Sequence, residues 1–177
     1  MERMNMEHRA YVFDHRAFEV EYKDLLVQAL STATTAALEQ FIETNRKQLT
    51  DPYEGKPLPP TWRSLLESGD VQEYGDFGLT KYYDPQDDIG FGASWSTIDE
   101  QLAEYLGDGA LVLGHVEGPE HAPFDPGRSG SYFQTPEEVA RNLRTLRELH
   151  EELGHRVAEP IRKVLEAGKG TGLYVTF

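Results

Sequence analysis

At 177 residues without a single cysteine, the chain excludes a disulfide framework, a thiolate-ligated zinc or iron-sulfur centre and a cysteine nucleophile. Its 31 acidic against 17 basic side chains leave a net charge of -14, which argues against nucleic acid as a partner because phosphate binding needs local positive potential. A hydrophobic fraction of 38%, with 11% of all residues aromatic, is enough for a packed interior and excludes a wholly disordered chain.

The opening MERMNMEHRA has no apolar run behind its charges, and nowhere do eighteen apolar residues follow one another. Neither a secretory leader nor a membrane span is therefore expected, and cytoplasmic residence is. AYVF at 10–13 reads as a short strand. Asp14 then caps a long helix whose apolar positions, from Phe18 through Leu26 and Leu30 to Ile42, recur every three or four residues. The poor helix formers Ser31, Thr32, Thr34 and Thr35 predict a bend or break at its centre. DPYEGKPLPP at 51–60 ends it with four prolines. TWRSLLESG at 61–69 reads as a short helix behind Thr61, and VQEYGDFGLTKYY at 71–83 as irregular strands or a hairpin.

After a loop at 84–92, Ser96 and Asp99 form a variant capping box for a helix that buries Ile98, Leu102, Tyr105 and Leu106. ALVLGHV at 110–116 is nearly continuously apolar and reads as a central strand. A long excursion, EGPEHAPFDPGRSG, is closed by a short extended YFQ. Thr135-Pro136-Glu137-Glu138 carries a hydroxyl cap, a first-turn proline and an acid that reaches back to the cap amide. Its helix buries Val139, Leu143, Leu146, Leu149 and Leu153; Gly154 and Pro160 split off a second piece, and the final LYVTF reads as a strand. The pattern predicts an α+β or α/β fold: a single domain with a small mixed sheet, a long N-terminal helix and a C-terminal helical hairpin or broken helix. Residues 1–50 supply the first strand and helix, 51–60 a proline-rich connection, and 61–177 the α/β core, which forms one compact domain with the N-terminal helix.

Most of the charge imbalance sits in residues 67–108, with 11 acidic groups and one basic group, whereas residues 137–177 carry seven of each. Within that stretch Tyr82, Tyr83, Asp84, Asp87, Asp88, Phe91 and Trp95 interleave aromatics with acids, a pattern suited to a basic protein partner.

The motifs of catalysis are weaker. His150 and His155 are five apart, about 140 degrees around a helix, whereas a helical zinc pair needs a spacing of four. Gly168-Lys169-Gly170-Thr171-Gly172 lacks the spacing and following helix of a phosphate loop, and Gly127-Arg128-Ser129-Gly130 lacks that of a nucleophile elbow. Asp84, Asp87 and Asp88 lack the alternating ligands of a calcium loop. The strongest enzyme candidates are His115, Glu117, Glu120 and His121, at the end of the expected central strand and in the loop behind it, where imidazoles and carboxylates can move protons or hold a metal.

Trp95 opening a helix, the run ALVLGHV, the approach GRSGSYF and TPEEVARNLRTL together resemble the YfbM-like family of small bacterial proteins. The resemblance covers residues 95–150 and implies an α/β fold without an established activity; it brings no catalytic residues. The sequence thus favours a non-enzymatic, cytoplasmic protein-binding module with an acidic, aromatic surface, of which an immunity or inhibitor protein is a special case, and with no cofactor. The alternative is a small metal-dependent enzyme or small-ligand-binding protein that uses the 115–121 loop.

Overall fold

A computed structural model describes residues 6–106 and 111–177. The chain runs β1 (Arg9–Val12), α1 (His15–Glu21), α2 (Lys23–Thr32), α3 (Ala36–Asn45), α4 (Val71–Leu79), α5 (Trp95–Ala103), β2 (Ser131–Gln134), α6 (Pro136–Leu153), α7 (His155–Ala167) and β3 (Leu173–Thr176), with single 3-10 turns at Arg46–Gln48 and Trp62–Leu65. β3 lies between β1 and β2 and pairs antiparallel with both, setting Tyr11 beside Tyr174 and Tyr174 beside Phe133.

Because side chains alternate along a strand, this small sheet divides two cores. One face carries Tyr11, Phe13, Phe133 and Tyr174 into a cluster with Phe18, Tyr22, Leu26, Leu38, Ile42 and Phe77 from α1–α4. The other carries Ala10, Leu173 and Val175 against Ile98, Leu102, Val139, Leu143, Ile161 and Leu165 from α5–α7. The fold is one α/β domain with an α6–α7 hairpin ahead of its last strand. Among the described residues no helix is long and apolar enough to cross a membrane.

The long N-terminal helix breaks twice. Tyr22 leaves helical geometry between α1 and α2, and Ala33 takes a left-handed conformation (φ 53°) between α2 and α3. The second break falls in the threonine patch, where Thr32 donates its hydroxyl to the Gln28 carbonyl, a local bond that competes with helix continuation.

Three expectations need correction. Residues 71–79 form α4, not strands: Asp70 caps it by accepting from the Glu73 amide, and two positions of its buried stripe are Gly75 and Gly78. Those glycines hide the helical period from a hydrophobicity reading, yet they permit α4 to lie against Tyr22 and Leu26; a Cβ on Gly78 would collide with the Tyr22 hydroxyl, which itself donates to the Gly75 carbonyl at 2.8 Å. Gly78→Ala is expected to lower unfolding stability by about 1–3 kcal/mol in urea titrations, the range for overpacking a filled core.

The run ALVLGHV is not a strand over its described part, since Ala110 lies outside the described residues and Leu111 to Leu113 form a turn. Its apolar side chains have another cause: Leu111 and Val112 are buried in the second core. Pairing is confined to His115, whose amide and carbonyl both bond Phe133 at 2.8 Å on the free edge of β2. Gly114 (φ 119°) lies so close to the Phe133 carbonyl that no side chain fits there. Finally, α5 starts at Trp95, so Ser96 is already inside the helix and cannot cap it with Asp99.

Candidate metal centre

The site forms at the end of the sheet where β1 leaves it. Asp14 accepts from the Ala17 amide at 3.2 Å and starts α1, which makes His15 the first helical residue, 1% exposed and edge-on to Phe13 and Phe18. Its Nε2 is buried and has no hydrogen-bond partner among the described residues. A desolvated imidazole nitrogen left in that state costs about 1–3 kcal/mol, so the position calls for an explanation.

His115 reaches the same place from the opposite side of the chain, held by its bridge to Phe133. Glu117 follows two residues later, and Gly118 (φ 99°) then turns the chain away. The His115 ring is 6.0 Å from that of His15, and one ligand atom each from His15, His115 and Glu117 lie within 4.8 Å of one another. His115 Nε2 is 2.7 Å from Glu117 Oε1, and its Nδ1 is 2.8 Å from Glu138 Oε1. Lys23 Nζ stands 3.9 Å from the other Glu117 oxygen.

Glu138 is placed by the capping box expected from the sequence. Thr135 Oγ1 accepts from the Glu138 amide at 3.0 Å, and Glu138 Oε1 accepts from the Thr135 amide at 3.1 Å. One carboxylate oxygen thus serves both the helix end and the His115 ring. Thr135→Ala is expected to cost about 1 kcal/mol of stability in denaturant titrations, as loss of an N-cap does, and to loosen the orientation of His115 with it.

The two imidazoles are pushed in opposite directions. Burial holds the His15 pKa below the ordinary histidine value, with Glu19 and Glu117 opposing that shift. The hydrogen bond that His115 donates to Glu117 raises the pKa of that ring, assisted by the charge of Glu138 and opposed by burial. A carboxylate oxygen lies against each ring nitrogen of His115, an arrangement that favours the protonated ring, in which both nitrogens donate. If Nε2 of His115 held a cation, its Nδ1–H would still donate to Glu138, the outer arrangement that orients metal-bound histidines.

These side chains fit a divalent cation: two imidazoles and a carboxylate suit zinc or iron, and one of the imidazoles carries a buried nitrogen without a hydrogen-bond partner among the described residues. The expectation of no cofactor is therefore overturned by the His15, His115 and Glu117 cluster. Among the described residues it is the one group of three or more metal-capable side chains. His150 and His155 come within 5.9 Å ring to ring across the Gly154 break but have no third member among the described residues.

Of the loop residues read from sequence, the structure unites His115 and Glu117 and leaves out the other two. Glu120 is exposed, and His121 is exposed with its Nε2 3.5 Å from the Ser31 carbonyl. His15 came from 100 residues away and had no motif to announce it beyond an Asp-His pair behind a strand.

The acidic, aromatic stretch is arranged differently from its expected surface. Asp84, Asp87 and Asp88 are exposed, but none of Tyr82, Tyr83, Phe91 and Trp95 is. Tyr82 packs on Phe13 and donates to Glu21 at 2.9 Å; Phe91 and Trp95 stack on the buried His8 ring. Asp88 accepts from the amides of Ala10 and Gly90, tying the loop to β1.

Compared with family profiles, curated proteins and solved structures, the chain matches none. Its chemistry has to be read from the site itself.

Proposed function

We propose that this chain is a small metal-dependent enzyme that holds a divalent transition cation of the zinc or iron type through His15, His115 and Glu117. The observation that carries the reading is the buried, unpartnered Nε2 of His15 beside a second imidazole and a carboxylate. Three protein ligands leave a coordination position for water or a small substrate, the pattern of catalytic rather than structural sites. Access is from the His115 side, whose side chain is 35% exposed against 6% for Glu117. In this reading Glu138 fixes the ring of His115, and Lys23 holds the far oxygen of Glu117. The kinship of residues 95–150 with the YfbM-like family belongs to the same proposal and assigns no residue a role.

Calorimetric titration of the metal-free chain with Zn2+ and with Co2+ tests it. One equivalent should bind, and both His115→Ala and Glu117→Gln should remove the binding. Absence of a stoichiometric site, or uptake unchanged in both variants, sinks the proposal. The cation must displace the His115 proton, whose pKa is raised by Glu117. Apparent affinity is therefore expected to climb with pH through and above the ordinary histidine range of about 6.5, then level off once His115 deprotonates without help.

A further inference from the structure

At the other end of the same sheet face, where Arg9 pairs with Thr176, lies a cavity of about 270 Å3 unconnected with the metal ligands. Its walls include Tyr11, Tyr53, Tyr83 and Tyr174, and α4 contributes Asp76. The rings of Tyr11 and Tyr83 are 4.9 Å apart, those of Tyr83 and Tyr174 5.1 Å, and those of Tyr11 and Tyr174 6.2 Å, so three tyrosines form one continuous aromatic wall. Tyr53, 67% exposed on the proline-rich connection, stands at the mouth.

Asp76 is the anomaly. It is 7% exposed, and none of the described residues gives its carboxylate a hydrogen bond or an ion pair. Its electrostatic neighbours Glu73 and Asp51 are acids, and the two of them, after burial itself, push its pKa to about 7. Arg9 also lines the cavity but is exposed and makes no ion pair with Asp76. A buried acid facing an open cavity, with more negative charge behind it, is a place where a positive charge is missing. Tyrosine complements a cation in two ways, through the negative face of its ring and through its phenolic oxygen.

We propose that this cavity binds a small organic ammonium ion, with the Asp76 carboxylate as counter-ion and the tyrosine rings as walls. The polar end of the ligand lies against α4, and Tyr53 closes over its outer side. Occupancy keeps Asp76 ionised, so binding strengthens as pH rises through about 7.

The full chain, titrated with tetramethylammonium chloride at constant ionic strength and followed by NMR, should show saturable shifts at residues of α4 and β3 with a dissociation constant in the millimolar range or tighter. Asp76→Asn should weaken binding at least about tenfold and Tyr53→Ala several-fold. tert-Butanol, a neutral body of similar shape, should not compete. Circular dichroism melts of both variants establish that they are folded. No saturation by about 50 mM, equal binding of the alcohol, or undiminished binding in both folded variants overturns the proposal. None of these results depends on the metal ligands.

Discussion

Replacing His15 with leucine is expected to abolish metal uptake while leaving the metal-free protein at least as stable as before. The side chain sits 1% exposed between Phe13 and Phe18, an apolar setting that leucine suits, and its Nε2 has no partner among the described residues to lose. Removing that orphan relieves a penalty of about 1–3 kcal/mol. The loss of affinity should exceed the roughly 10- to 100-fold that follows loss of an outer partner of a metal ligand. Melts with and without Zn2+ separate the two effects. At about 100 times its dissociation constant the ion stabilises the parent by about 2.7 kcal/mol and the variant not at all. If instead the variant were markedly destabilised and kept its metal response, His15 would be a structural residue and the assigned ligand set would be wrong.

Asp76→Asn is expected to stabilise the protein above neutrality and to flatten its pH dependence. The folded-state pKa stands near 7 against an ordinary value of 3.8, raised first by burial and then by Glu73 and Asp51. Between those values the unfolded chain releases the proton and the folded chain keeps it, so stability is fully present below about pH 4 and falls until about pH 7. The whole loss is on the order of 4 kcal/mol, since each pKa unit corresponds to about 1.4 kcal/mol. Urea titrations at pH 5 and pH 8 should show a smaller drop in the asparagine variant than in the parent. Equal drops would remove Asp76 as the cause.

Sequence reading succeeded where structure is local. The Thr135-Pro136-Glu137-Glu138 start of α6 is formed by neighbours and was legible in full, as were the Gly154 break and the threonine break of the first helix. It failed where a residue's role lies in its long-range neighbours. Gly75 and Gly78 look like turn formers until Leu26 and Tyr22 are seen to press on them. Leu111 and Val112 resemble a strand because burial, not pairing, made them apolar. The metal centre was half visible for the same reason: His115 and Glu117 share one loop, whereas His15 joins them only once Phe13 and Phe133 are packed face to edge at 5.4 Å. The acidic stretch illustrates the converse error. Its aromatics look like surface anchors beside acids, but Tyr82 and Trp95 are buried and Tyr83 and Phe91 half-buried, whereas Asp84, Asp87 and Asp88 stay outside.

The central position of β3 governs the order in which the protein can be made. Arg9 waits for Thr176, and Ser131 waits for the same residue, so neither outer strand has a partner while the ribosome is still short of position 173. Both cores are open on their sheet side throughout that interval, and the apolar faces of α1–α4 emerge long before the ladder that roofs them. Such late closure of distant contacts slows folding and lengthens exposure to aggregation. A nascent chain stalled before β3 would be a chaperone client, and the few residues from Leu173 to Thr176 act as the bolt that commits everything synthesised earlier.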